Sequence, residues 1–221
     1  YNEIIRLDPT NKLQTPIDYG VWTFQYNGTQ FTASSQSQWS LSANFGIRGV
    51  GNTDDEFYDK RVNAQANFAY LRGSVERTDT FKSDWQLLSK LQAQLSNSPL
   101  VNNEQFSVGG AHSVRGYYES QALGDDGASL GFEARTPKLI DSIKALDDWR
   151  LLAFIEGANL RVKDALPDQV DSINLAGTGL GFVLRAWDSV DFAVDWAYAL
   201  KDSGDVERGD DRIGADLMWK F

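Results

Sequence analysis

The sequence predicts an all-β protein, an antiparallel transmembrane β-barrel of the outer-membrane type. Three features favour this fold: side chains alternate between apolar and polar over most of the chain, the alternating segments are long, and their connections are short and long in turn. Strands of soluble sandwiches are usually about 5–6 residues long. Outer-membrane strands need about 9–11 residues and alternate short turns with long loops.

The strongest strand pattern covers residues 190–200, where Val190, Phe192, Val194, Trp196, Tyr198 and Leu200 share one face. Such an alternation has a period of two residues, which a helix with a period of 3.6 would not produce. Shorter or less regular alternations predict further strands over residues 22–26, 39–47, 62–70, 85–95, 130–137, 149–157, 172–187 and 213–221. The total is about nine strands.

The predicted connections differ in length. Short ones are expected at Asn27-Gly28, which is a signal for a type I′ hairpin turn, at residues 80–83 and at Asp188-Ser189. Longer ones, rich in Gly, Asp and Asn, cover residues 49–60, about 97–127, 162–171 and 201–211. The segment 138–148 is predicted on the side of the short turns but has a helical pattern.

The polar face of the predicted strands carries many charges, at Glu133, Arg135, Arg150, Glu156, Arg185, Asp191 and Asp195. A soluble barrel or sandwich would bury its apolar face, whereas a transmembrane barrel turns that face to lipid and encloses a wet lumen with the charged one. Aromatic residues near strand ends suit interfacial girdles: Trp149, Trp187, Trp196, Trp219 and Phe221. The membrane barrel is the favoured interpretation, and a soluble sandwich is the alternative.

Composition excludes several classes of function. The chain has 221 residues, no cysteine and a formal net charge of −10, so nucleic acid is not an expected partner. Its mean hydropathy is −0.40, and no apolar run approaches the roughly 20 residues of a membrane-spanning helix. The N-terminal residues show no signal-peptide pattern. Acidic runs such as Asp125-Asp126 are interpreted as solvated loops without the spacing of a calcium site, so no metal is predicted.

No catalytic residue and no cofactor are predicted. The single histidine, His112, lacks a nucleophile or base at a suitable spacing, and Ser113 is outside a nucleophile elbow. Phosphate-loop and dinucleotide-binding motifs are absent from the sequence. A carboxylate pair formed by Glu133 and Glu156 is the only enzymatic alternative, and arginines offer these acids simpler partners.

The long loop at about 97–127, here called the arginine loop, contains the sequence Gly109-Gly-Ala-His-Ser-Val114-Arg115-Gly116-Tyr117. Gly109, Gly110 and Gly116 permit backbone angles that other residues avoid, so the loop can fold tightly and present Arg115. Taken alone, these residues favour an ordinary glycine-rich loop with a solvated arginine.

From about residue 84 to the end, the chain resembles the transporters of two-partner secretion, the haemolysin secretion/activation family of the BamA superfamily. The matching segments are 91–95, 104–110, Val114-Arg-Gly-Tyr117, 124–127, 131–137 and Phe154-Ile-Glu156. The resemblance implies that Phe154 and Glu156 face the lumen and that Glu156 meets Arg115. We interpret this pair as one with a gating or conformation-fixing role, and a salt bridge that only stabilises the barrel is the alternative. Trp219 and Phe221 are similar to the terminal signal that such barrels present to their assembly machinery.

The resemblance further implies a protein of the bacterial outer membrane that contacts lipid and exports a secreted exoprotein. Such transporters have two POTRA domains before a sixteen-stranded barrel. Residues 1–221 are therefore expected to be the C-terminal portion of one barrel domain, without the N-terminal strands and the POTRA domains. Alternatives are a BamA-like insertase and, more distantly, a passive porin or an outer-membrane enzyme.

Overall fold

The structure is a computed structural model that describes residues 17–49, 53–140 and 146–220. Within these residues, nine strands form one antiparallel sheet in the order β1-β2-β3-β4-β7-β8-β9-β10-β11. The strands are β1 (Gly20–Phe31), β2 (Ser35–Ile47), β3 (Ala69–Thr80), β4 (Gln86–Ser96), β7 (Asp126–Arg135), β8 (Leu146–Arg161), β9 (Ser172–Ala186), β10 (Val190–Ala199) and β11 (Asp211–Trp219). Outside the sheet lie a helix, α1 (Asp54–Lys60), and a small hairpin of β5 (Phe106–Val108) and β6 (Ala122–Gly124). The all-β class and the number of main strands are confirmed.

The two faces of the sheet differ as the alternation predicts. The apolar face exposes large side chains, among them Trp22 at 65%, Leu180 at 62% and Trp219 at 71%. On the polar face, by contrast, Glu133, Arg150 and Glu156 are buried. A soluble sandwich would bury the first set and solvate the second, so the pattern of exposure favours a sheet whose apolar face meets lipid.

Long and short connections lie at opposite ends of the strands, except that the connection 136–145 between β7 and β8 lies at the end of the short ones. The long ones cover residues 48–68, 97–125, 162–171 and 200–210, and they define what we call the outer end of the sheet. At the other end, the predicted short connections at 80–83 and 188–189 are confirmed, because β3 ends at Thr80 and β9 at Ala186. Trp187 and Asp188 both have a φ of 54°, the left-handed backbone that a tight two-residue turn requires. No helix among the described residues is long and apolar enough to cross a membrane.

The turn predicted at Asn27-Gly28 is wrong. Both residues lie inside β1, paired with Ser40 and Trp39 of β2, and the chain turns at residues 32–34. Gly28 serves packing rather than a turn: a Cβ at this position would overlap the ring of Trp39 on the neighbouring strand. Glycine is therefore required at position 28 to make room for the indole of Trp39. Because it follows an asparagine, it gives the same sequence pattern as a type I′ turn.

The strand predicted over residues 62–70 is also wrong, because β3 begins only at Ala69. The apolar side chains Ala64, Ala66 and Phe68 pack in a buried cluster with Phe57 of α1. The helix itself was missed within the predicted loop 49–60. Its signal is a capping box, in which the Thr53 side chain accepts from the Glu56 N–H and the Glu56 carboxylate accepts from the Thr53 N–H.

Three further predictions are corrected by the structure or concern residues outside its described part. Asp125 is fully buried and ion-paired rather than solvated. Of the segment 138–148, residues 141–145 lie outside the described residues, and residues 146–148 belong to β8 rather than to a helix. Phe221 also lies outside the described residues.

Candidate functional site

The arginine loop, which occupies residues 97–125 between β4 and β7, folds back onto the polar face of the sheet. Its stem is the β5–β6 hairpin, and its tip is residues 109–121. Apolar side chains of the loop form one buried cluster with the sheet and the β10–β11 connection, whose members are Phe106, Val108, Val114, Tyr117, Ala122, Ala158, Leu160, Leu175, Ala199 and Val206. Val114 is 0% exposed, and its burial brings the neighbouring Arg115 against the polar face of the sheet.

Glycines make this close approach possible. Gly109, Gly110 and Gly116 have φ angles of 111°, 88° and 96°, a region that residues with a Cβ rarely adopt. Gly116 also lies against the backbone of β10, where a Cβ would come within 2.9 Å of the Tyr198 carbonyl carbon. The tip can therefore lie on the sheet only with a glycine at this position.

Arg115 is held by two carboxylates of the polar face. Its Nε and one terminal nitrogen donate to Oε1 of Glu156 on β8, at 2.9 and 2.5 Å, and its backbone N–H donates to Oε2 at 2.8 Å. The other terminal nitrogen lies 2.9 Å from Oε2 of Glu133 on β7. The guanidinium thus joins two neighbouring strands, and one glutamate fixes both the side chain and the backbone of Arg115.

An aromatic ring completes the site. The Cζ atom of Arg115 lies 3.4 Å from the centroid of the Phe154 ring, two residues before Glu156 on β8. Burial alone would lower the pKa of Arg115, but the carboxylates of Glu156 and Glu133 outweigh it and raise that pKa above its usual value. The guanidinium therefore stays positively charged against the ring and between the acids.

The tip is also held by Tyr117 and by the backbone of Arg115. The Tyr117 hydroxyl lies 3.0 Å from the carbonyl oxygen of Ala176 and 2.8 Å from that of Lys201, so it contacts β9 and the β10–β11 connection. The Arg115 carbonyl oxygen lies against Gly177 of β9, where a Cβ would overlap it. The four residues Val114 to Tyr117 therefore contact β7, β8, β9 and β10 together.

Of the other charges that the sequence singled out, Arg135 lies beside the Arg115 site and the rest lie elsewhere on the polar face. Arg135 pairs with Glu133 at 2.7 Å and so extends the site by one cation. At the short-turn end, Arg150 pairs with Asp148 and Asp84. At that end, too, Asp191 pairs with Arg185 and Lys220. Asp195 is on the polar face of β10 beside Gly181 and Gly214. Trp219 is exposed at the end of β11.

Sequence reasoning missed two partners of the tip. It did not assign Glu133 to Arg115, because β7 and β8 had not been placed as paired strands. It also missed Arg212 of β11, whose Cζ lies 3.4 Å from the ring centroid of Tyr118. The aromatic pair Tyr117-Tyr118 was the available signal, since neighbouring residues of an extended loop face opposite sides. Among the described residues, no cluster of acidic or histidine side chains is placed to hold a metal ion.

A family model independently matches the sequence. The model described as haemolysin secretion/activation protein ShlB/FhaC/HecB covers residues 15–181, which include β1 to β8, most of β9 and the whole arginine loop. The chain belongs to this family. Haemolysin secretion/activation proteins are transport proteins of the bacterial outer membrane rather than enzymes. The predicted recognition and localisation are therefore confirmed.

Solved structures agree in fold. CdiB from Escherichia coli is similar over 91% of this chain and 36% of its own, with a TM-score of 0.73 and 20% sequence identity. CdiB from Acinetobacter baumannii is similar over 90% of this chain and 33% of its own, with a TM-score of 0.66 and 17% identity. The chain thus spans about a third of the length of these two structures. No curated protein matches the sequence significantly.

Proposed function

We propose that this chain forms part of an outer-membrane pore of two-partner secretion, which exports one partner exoprotein. The exoprotein crosses the lumen as an extended chain whose polar groups are solvated by the polar face of the sheet. Folding of the exoprotein outside drives export, because the outer membrane offers no nucleotide. Within this pore the tip of the arginine loop acts as a gate held on the wall.

The gating proposal rests on the contacts that hold Arg115 on the polar face of the sheet. Its guanidinium has carboxylate partners on two strands and an aromatic ring below, and its side chain is only 13% exposed. Removal of one partner of such a buried pair leaves a charge without compensation and costs about 3–5 kcal/mol. Because release of the tip would leave buried charges without partners, the gate stays closed until a passing chain competes for these contacts.

The remaining parts of the transporter follow from the family. We propose that the chain is the C-terminal portion of a barrel with about sixteen strands, preceded by POTRA domains that recognise the exoprotein. The apolar face contacts outer-membrane lipid, and Trp219 with Phe221 forms the terminal signal for the barrel assembly machinery. No nucleic acid, metal or cofactor takes part in this proposal.

The experiment replaces Arg115 by alanine in the full-length protein. We expect a larger or less stable single-channel conductance together with altered export of the partner exoprotein. Arg208→Ala, which removes an exposed arginine from the β10–β11 connection, is the matched control. Unchanged conductance and unchanged export in Arg115→Ala would contradict the gating role.

A BamA-like insertase is separated from a secretion pore by depletion of the protein from cells. Loss of one exported protein is the result expected of a secretion pore. A general loss of outer-membrane barrels would instead identify an insertase and would overturn the proposal.

A further inference from the structure

A second buried ion pair lies at the outer end of the sheet, away from Arg115. Asp125, the last residue before β7, is 0% exposed and accepts both terminal nitrogens of Arg61, each at 2.5 Å. The same carboxylate accepts the backbone N–H groups of Leu100 at 2.8 Å and Lys163 at 2.7 Å. Donors from several directions fix this buried carboxylate in place.

The donors to Asp125 come from three different connections. Arg61 follows α1 in the β2–β3 connection, Leu100 is near the start of the arginine loop, and Lys163 is near the start of the β8–β9 connection. Arg61 also donates to the carbonyl oxygens of Leu100 at 2.6 Å and Lys163 at 3.0 Å, so each group of the pair binds the other two segments as well. Three long connections thus meet at one ion pair.

The other side of the loop stem is held by a different carboxylate. Both oxygens of Glu104 accept hydroxyl groups at 2.7 Å, one from Tyr19 and one from Tyr70. Burial, and then the neighbouring Glu104, raise the pKa of Tyr19, so this phenol remains a neutral donor. The fully buried Gln94 of β4 donates to the carbonyl oxygens of Glu104 and Asp125, both at 3.1 Å, and so joins the two sides.

The polar contacts of stem and tip are separate, although apolar side chains of both share one buried cluster. The polar contacts of the stem are made by residues 100–105 and 125, which flank the β5–β6 hairpin, and those of the tip are centred on Arg115. At the start of the tip lie Gly109 and Gly110, whose φ angles of 111° and 88° mark the place where the backbone changes direction. Because glycine rotates with little restriction, a change in the tip can be absorbed there without displacement of the stem.

We infer that Asp125 and Arg61 form a second anchor, which fixes the stem of the arginine loop at the outer end of the pore independently of Arg115. The inference rests on the proposed function, since it says how far the gate moves. Release of the tip from Glu156 leaves the stem in place together with the β2–β3 and β8–β9 connections. Opening is then a local movement of residues 109–121, and the loop as a whole stays inside the barrel.

Cysteine labelling of the full-length protein in cells tests this separation. The described chain contains no cysteine, so single reporters can be introduced by Val108→Cys in the stem and Val114→Cys in the tip. Both valines are 1% exposed or less, which makes the pair matched. Each reporter is combined with Arg115→Ala, with Asp125→Asn and with Asp168→Asn, an exposed acid of the β8–β9 connection that serves as control.

We expect Arg115→Ala to accelerate maleimide labelling at position 114 about tenfold or more and to leave position 108 unchanged. Asp125→Asn accelerates labelling at 108 instead, because the buried Arg61 loses its counter-charge. Where Asp125→Asn fails to fold, the double variant Arg61→Gln with Asp125→Asn removes both charges together and gives the same comparison.

Two results would overturn the inference. One is equal acceleration at 108 and 114 in Arg115→Ala, which would mean that stem and tip move as one body. The other is slow labelling at 108 in both Asp125 variants. Conductance and export are measured in parallel. If Arg115→Ala accelerates labelling only at position 114 but leaves conductance and export unaltered, the gating function is contradicted and the anchor is supported. The two results above concern the anchor alone.

Discussion

Arg115 lies over the ring of Phe154 with its Cζ atom 3.4 Å from the ring centroid, while its nitrogens reach Glu156 two residues further along the same strand. The two-residue spacing is what allows this, because residues 154 and 156 of β8 face the same side of the sheet. One strand therefore supplies both a flat support and a charge for the guanidinium. Substitutions at these contacts test how Arg115 is held, and substitutions on either face of the sheet test which face meets lipid.

Glu156→Gln keeps the shape of the side chain and removes its charge. We expect a loss of about 1.5–3 kcal/mol in the free energy of unfolding, because Arg115 loses charged hydrogen bonds to Glu156 but keeps Glu133 as a counter-charge. Urea unfolding in detergent micelles measures the change. Glu207→Gln, at an exposed position of the β10–β11 connection, should change the same free energy by less than about 0.5 kcal/mol. Equal effects of the two variants would contradict a special role for Glu156.

Phe154→Leu preserves an apolar side chain but removes the π face beneath Arg115. The expected loss is smaller, about 0.5–2 kcal/mol, since the ion pair with Glu156 remains. A double-mutant cycle with Arg115→Met measures the interaction between the two side chains. A coupling energy near zero would show that the ring only fills space.

Gly177→Ala introduces a Cβ where the Arg115 carbonyl oxygen touches β9. We expect the tip to be displaced at a cost of about 1–3 kcal/mol, as for other overpacked sites, and the channel to resemble that of Arg115→Ala. Single-channel recording detects the change. Gly157→Ala on β8 makes the same chemical change where the nearest atom would be 3.5 Å away, and it should behave as the unmodified protein. A silent Gly177→Ala would mean that the tip does not rest on β9.

Leu91→Arg places a charge on the apolar face of β4, where this leucine is 45% exposed. If that face meets lipid near the middle of the bilayer, the cost is about 2–4 kcal/mol. Gln92→Arg, on the polar face one residue later, should be tolerated because an arginine there meets water. Folding yield into lipid vesicles compares the two. Tolerance of Leu91→Arg with failure of Gln92→Arg would reverse the faces.

The sequence predicted the architecture because the period of two residues is imposed by the strand itself. Long strands with charges on one face and tryptophans on the other leave few alternative folds. The fold class, the number of strands and the position of Glu156 on the polar face could therefore be predicted. The errors arose where tertiary packing imitated a local signal. Gly28 makes room for Trp39 on the next strand, and the alternation at 64–68 packs beneath α1.

Contacts between distant loops were harder to predict. No local pattern around Asp125 predicts its contact with Arg61, which is 64 residues away in the sequence. A pair of acids between glycines is instead typical of a solvated turn. Similarly, Glu133 becomes a partner of Arg115 only when β7 and β8 lie side by side. The resemblance to the haemolysin secretion/activation family supplied the match between Arg115 and Glu156, and its functional role remains a prediction.

The orientation of the two faces is tested most directly by fluorophores on single cysteines at Ser40, Leu41, Ser42 and Ala43 of β2, in the full-length protein reconstituted into vesicles. Quenching by brominated lipid reports contact with acyl chains, and quenching by iodide reports contact with water. We expect brominated lipid to quench positions 41 and 43 and iodide to quench positions 40 and 42. The reverse assignment, or no alternation at all, would contradict a barrel whose tryptophan- and leucine-rich surface meets lipid.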